Sequence, residues 1–127
     1  MRVLLDTNVL LWAATAPERL GSHLELLSMG ERLLSVASVW ELAVKQALGK
    51  VDLGMAVGAW VTRAVAALSM EILEIKVGHA AAVEHLPPLH RDPFDRMLVA
   101  QAEQENAVLL TVDATLAAYG AAVRLIP

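Results

Sequence analysis

Five short apolar runs recur along the chain, at residues 3–5, 33–36, 70–75, 107–110 and 122–126, and longer segments of helical period lie between them. That alternation restricts the fold more than any other feature. A strand in an antiparallel sheet with one wet face alternates apolar and polar residues, whereas a strand covered on both faces reads as a nearly continuous apolar run. The intervening segments predict helices at 8–14, 20–29, 39–48, 56–68, 77–85, 93–105 and 114–119. Strand and helix in regular succession predict an α/β fold, with a central, mostly parallel sheet of about five strands flanked by helices on both faces. Gly49 and the Pro87-Pro88 pair supply helix stops, and no linker, repeat or low-complexity tract divides the chain, so a single domain over residues 1–127 is expected.

The apolar share of 57% and mean hydropathy of +0.53 raise the question of a membrane segment. The longest run free of Asp, Glu, Lys and Arg, residues 7–17, falls far short of the roughly 20 residues that span a bilayer. Asp6 interrupts what would have to be the apolar region of a signal peptide, which predicts a cytoplasmic protein. The absence of cysteine removes disulfides, thiolate nucleophiles and cysteine zinc sites, so any metal must be held by oxygen or histidine. A net charge of −4 argues against a nucleic-acid partner, unless several of the fourteen acids converge on a cation and leave the rest of the surface near neutral.

In an open parallel sheet, ligands collect beyond the carboxyl ends of the strands, and the residues there are acidic. Asp6 follows the first run and Asp113 the fourth, while Glu41 and Asp95 fall in the first turns of the helices after residues 33–36 and after Asp92-Pro93. Each has an ordinary explanation taken alone. Ser38-Val39-Trp40-Glu41 fits a capping box, Asp92 fits an N-cap followed by proline with Asp95 complementing the helix dipole, and Asp6 and Asp113 fit turns. Capping does not explain why four acids should gather at one end of one sheet. Their mutual repulsion calls for a cation, and Mg²⁺ suits a site of a few carboxylates that leaves room for substrate phosphates.

Four blocks carry a resemblance: LLDTNVLLW at 4–12, SVASVWELAVKQALGKVDL at 35–53, HRDPFDRMLVAQA at 90–102 and LLTVDATLAAYG at 109–120. In this order and spacing they resemble the PIN-domain ribonucleases, especially the VapC-type toxins of toxin–antitoxin pairs. The resemblance implies a PIN-like fold and metal-dependent hydrolysis of RNA phosphodiesters, leaving 5′-phosphate and 3′-hydroxyl ends. By position it implies that Asp6 and Asp95 hold Mg²⁺ or Mn²⁺ most directly, that Glu41 and Asp113 complete the site, and that Asn8 and Thr111 support the acids through hydrogen bonds. It implies a homodimer silenced by a cognate antitoxin whose tail occupies the acidic groove. Leu116, where relatives often carry phenylalanine, and the divergent segment 13–21 depart from the pattern without touching the acids.

Other features have simpler readings. His79, His85 and His90 are expected at surface or loop positions rather than as metal ligands. Trp12, Trp40 and Trp60 are of a type that stacks on bases, but tryptophans on amphipathic helices more often anchor cores or interfaces; Trp60, on the very apolar segment 56–68, is expected to face a partner. Arg91 and Arg96 flank the acids and would meet phosphates or pair with carboxylates. The competing functions are a non-catalytic binding module of the same fold, a PIN nuclease outside a toxin–antitoxin pair, and a phosphatase of the haloacid dehalogenase type. The last needs a second aspartate two residues after the first, where this chain has Asn8.

Overall fold

The computed structural model describes residues 1–126, leaving aside the side chain of Met29. Among these residues one sheet is built from β1 (Arg2–Leu5), β2 (Glu31–Ser35), β3 (Met70–Leu73), β4 (Val108–Thr111) and β5 (Val123–Leu125). Every pairing is parallel, and the order is β3-β2-β1-β4-β5. The chain therefore builds outward from β1 to one side, then crosses back and completes the other side. Strand order reverses between β1 and β4, which opens a crevice beyond their carboxyl ends.

The helices described are α1 (Thr7–Thr15), α2 (Leu24–Met29), α3 (Val36–Ala47), α4 (Val57–Leu68), α5 (Val77–Ala82) and α6 (Pro93–Gln104), with 3-10 helices at Pro17–His23, Val83–His85 and Ala114–Tyr119. The α/β architecture follows the periodicity, but three local features differ from it. The helix expected over 20–29 divides, because Gly21 adopts φ 54°, ψ −129° and kinks the 3-10 segment Pro17–His23 that precedes α2. The segment 77–85 tightens to 3-10 geometry in its last turn, ahead of Pro87. β2 starts two residues earlier than its apolar run, since Glu31 and Arg32 pair with β1 through backbone groups that hydropathy does not report.

Alternate strand residues divide between two cores. Val3, Leu5, Leu34 and Leu110 join Val9, Leu10, Leu42, Trp60 and Ala64 on one side of the sheet. Leu4, Leu33 and Leu109 join Leu98, Val99, Ala102 and Leu116 on the other. These strand side chains are at most 1% exposed, which is why the runs read as unbroken apolar stretches. Trp60 lies within the first core at 6% exposure, so the expectation that it faces a partner is corrected: α4 turns Trp60 and Ala64 inward and packs on α3, β3 and α1. No helix among the described residues is long and apolar enough to cross a membrane.

Truncation of a fully enclosed strand side chain leaves a cavity that a sheet packed on both faces cannot collapse. Leu110→Ala should lower unfolding free energy by about 2–5 kcal/mol, read from urea denaturation.

Candidate metal centre

Asp6 ends β1 and begins α1. Its backbone N–H continues the sheet ladder to the Leu110 carbonyl at 3.0 Å, and its side chain turns to cap the helix, Oδ1 accepting from Val9 N–H at 2.8 Å. Oδ2 accepts from the hydroxyl of Thr111, the last residue of β4. Thr111 Oγ1 in turn accepts the Asp113 N–H at 3.0 Å. One hydroxyl thus ties the loop after β4 to the aspartate after β1, across the switch point.

Glu41 reaches the same region from α3, but the helix is not capped as the sequence suggested. Ser35 is the N-cap, its Oγ accepting from Ala37 N–H at 2.9 Å, so α3 begins three residues before the expected Val39. Glu41 consequently lies in the second turn, and the capping-box reading of Ser38 and Glu41 is corrected. Ser38 sits inside the helix, fully buried, with Oγ 3.1 Å from Thr7 Oγ1. Thr7 donates to Glu41 Oε1 at 2.6 Å and Lys45 Nζ donates to Oε2 at 2.6 Å, so both oxygens of this nearly buried carboxylate are engaged.

On α6 the division between two aspartates follows helix geometry. Asp92 caps the helix, its Oδ1 accepting from Phe94 N–H at 2.8 Å and Asp95 N–H at 3.3 Å. Asp95, in the first turn, faces His90, whose Nε2 is 3.6 Å from Asp95 Oδ2 and 2.9 Å from Asp113 Oδ2. His90 Nδ1 accepts the Asp92 N–H at 3.0 Å, which places the proton of a neutral ring on Nε2, pointing at the carboxylates. Asp113 Oδ1 caps the following 3-10 helix, accepting from the amide and hydroxyl of Thr115 at 2.9 and 2.6 Å.

Burial and mutual repulsion strain Asp6 and Asp95 toward the protonated state. Burial raises Asp6 above the usual aspartate range against the opposing bonds from Thr111 and Val9, and the charges of Glu41 and Asp113 add to the rise. Asp95 is pushed up to about 7, by burial first, then by the charges of Asp92 and Glu41; His90 opposes the shift and Asp6 adds to it. Asp113 lies lower than usual because Thr115 and His90 hydrogen-bond its carboxylate. The structure therefore brings Asp6, Glu41, Asp95 and Asp113 into one electrostatic neighbourhood, with His90, Asp95 and Asp113 each offering a donor atom within 4.8 Å of the other two. The donor set, hard carboxylate oxygens whose charge is poorly compensated, fits a divalent cation.

Asn8 does not join the group: its side chain is exposed and makes no hydrogen bond to an acid among the described residues. The helical start at Thr7 directs Thr7, not Asn8, inward. Thr7, Ser38, His90 and Lys45 are the contributors that the sequence reading missed. Only Lys45 had a local signal, its i,i+4 spacing from Glu41; the others meet across 23 to 34 residues. His79, expected near the surface, is buried: Nδ1 accepts from Lys76 N–H and Nε2 pairs with Glu105 at 2.7 Å. His85 is exposed, as expected.

The family model described as "PIN domain" matches residues 3–122. Solved structures of similar fold include a chain of VapBC2 from Rickettsia felis bound to a DNA fragment from its promoter, with TM-score 0.72, 16% identity and coverage of 98% of this chain and 97% of that one. A chain of a toxin–antitoxin complex from Klebsiella pneumoniae has TM-score 0.68, 19% identity and 98% coverage of both chains. A chain of FitAcB from Neisseria gonorrhoeae has TM-score 0.66, 23% identity and 95% coverage of both. At these identities the likeness is one of fold. No curated protein matches the sequence.

The raised Asp95 binds a proton in the folded state over a range where the unfolded chain has released it. Its contribution is therefore most favourable below about pH 4 and is lost as pH rises to about 7. Metal-free Asp95→Asn should match the wild type near pH 4 and exceed it by about 1–3 kcal/mol at pH 8, measured by urea denaturation in chelator.

Proposed function

Because this chain belongs to the PIN domain family, with a match over residues 3–122, we propose that it is a divalent-metal-dependent endoribonuclease of the VapC type, hydrolysing RNA phosphodiester bonds. The observation that carries the reading is the convergence of Asp6, Glu41, Asp95 and Asp113 at the switch point of a parallel sheet, with Asp95 pushed up to about 7 by burial and by the charges around it. Family membership supports a nuclease. Like charges left this close are the signature of a site that stores repulsion for a cation to relieve.

In this reading Asp6 and Asp95 hold Mg²⁺ or Mn²⁺ most directly, and Glu41 and Asp113 complete the site. A bound divalent cation supplies positive charge to a phosphoryl oxygen and acidifies water. The protein's own groups do the rest. Thr111 and Val9 fix the rotamer of Asp6, Thr7 fixes Glu41, and Thr115 and His90 fix Asp113, so the carboxylates are aimed before substrate arrives. Water aligned by Glu41 or Asp113 would attack in line, producing 5′-phosphate and 3′-hydroxyl ends.

The similarity of fold to chains in toxin–antitoxin complexes supports the further reading that a cognate antitoxin silences the enzyme, its tail entering the acidic groove. An arginine of that tail would meet the carboxylates as a substitute for the metal's charge. A homodimer acting in the cytoplasm belongs to the same proposal.

Asp6→Asn and Asp95→Asn should each lower Mn²⁺- or Mg²⁺-dependent RNA cleavage by on the order of 100-fold or more, and chelation should abolish it in the wild type. Retained cleavage in both variants would overturn the proposed role of the acids, whereas wild-type protein that cleaves no RNA in Mn²⁺ or Mg²⁺ would leave the non-catalytic binding module as the better reading. Expression of the chain alone should arrest growth, and co-expression of a small neighbouring gene should restore it; normal growth with abundant folded protein would point to a PIN nuclease outside such a pair.

A further inference from the structure

We propose that Lys45 is the residue that grips the RNA backbone beside the scissile bond, and that it is held in reserve on Glu41 until a divalent cation claims that carboxylate. The assignment rests on the nuclease reading of the same site and adds a residue and an order of events to it.

Both oxygens of Glu41 are engaged by protein donors, Oε1 by Thr7 and Oε2 by Lys45. The two donors differ in what their departure would cost. Thr7 is buried at the start of α1 with Ser38 Oγ as a second acceptor at 3.1 Å, so its hydroxyl stays in the crevice whichever oxygen it serves. Lys45 has a flexible four-carbon stem and its side chain is 41% exposed, against 5% for Glu41, so the stem has room at the surface to carry the ammonium away from Glu41. The charges of Asp92 and Asp95 also act on it, which places it within the field of the whole acidic group. An ammonium and a divalent cation repel each other and compete for the same Oε2. Entry of the ion thus frees Lys45 at the edge of the site.

A polyanion approaching four acids on a chain of net charge −4 needs positive charge besides the metal. Arg96, next in sequence to Asp95, is not available for this, because its guanidinium is spent on the carbonyls of Val83, Leu86, Pro87 and His90. Lys45 is a compact point charge of the kind that binds phosphate.

The test uses the purified full chain, titrated with Mn²⁺ by calorimetry and with a short single-stranded RNA, in chelator or in Ca²⁺, by fluorescence anisotropy. Lys45→Met, which keeps the apolar stem, should bind Mn²⁺ about threefold or more tightly than wild type, because a resident competitor is gone. In Ca²⁺ it should bind RNA about tenfold more weakly, with the slope of log affinity against log salt smaller by about 0.7; in chelator the two proteins should bind RNA alike. Lys45→Arg should restore RNA affinity. Mn²⁺ binding that is unchanged or weaker in Lys45→Met, or equal RNA affinities in Ca²⁺, overturns the proposal and leaves Lys45 as a counter-ion that steadies α3. Wild-type protein that shows this linkage but cleaves no RNA in Mn²⁺ would overturn the nuclease reading, and with it the placement beside a scissile bond, while the metal-released contact of Lys45 with RNA stands.

Discussion

β1 is hydrogen-bonded on both sides and buried on both faces, and most of the remaining structure is arranged around that single four-residue strand. Parallel neighbours on each side require the chain to leave β1, build β2 and β3 in one direction, and return to lay down β4 and β5 in the other. Two layers of helices are then obligatory, because the alternate side chains of every central strand point into separate cores. The same reversal leaves a crevice where β1 and β4 end, and the chain places Asp6 and Asp113 there. Position of the site follows from topology before any question of chemistry arises.

Within the crevice, electrostatic crowding is balanced unevenly. Asp6, Glu41 and Asp113 each accept strong hydrogen bonds from hydroxyl, amide, ammonium or imidazole donors, which return part of the desolvation cost of a charged carboxylate. Asp95 faces only the more distant His90, and its carboxyl is the one raised to about 7. Three acids are thus prepositioned by the protein, while the fourth carries most of the uncompensated repulsion. Such an imbalance couples folding stability to proton binding and, in the proposed metal site, to cation binding, since whatever relieves Asp95 stabilises the fold around it.

Hydroxyl groups connect the acids to the scaffold. Thr111 serves Asp6 with its proton and Asp113 with its lone pair, and Thr7 joins α1 to Glu41 on α3. Each therefore holds two elements in register as well as orienting a carboxylate. Outside the crevice, the pair of buried His79 with Glu105 and the Arg2 contacts to Glu105 fasten the opposite reach of α6 to α5 and β1, and Arg2 pairs with Glu31 of β2.

Periodicity and apolar runs in the sequence determined the fold class, the number of strands and the acids that follow them, because burial on both faces of a parallel strand leaves a one-dimensional trace. Strand ends also mark the crevice, so Asp6, Glu41, Asp95 and Asp113 were readable as a group. The tertiary structure alone decided which polar groups meet. Ser35 rather than Ser38 caps α3, although only Ser38 has a glutamate three residues on, because β2 ends at Ser35 and the helix starts directly after it. Thr7 rather than Asn8 turns inward because α1 begins directly at Asp6, and His90 enters the site because the loop before α6 folds back toward Asp113. Trp60 and His79 became interior residues for the same reason. Local sequence records how much a residue is buried; the identity of its partner, tens of residues away, is set by how elements pack.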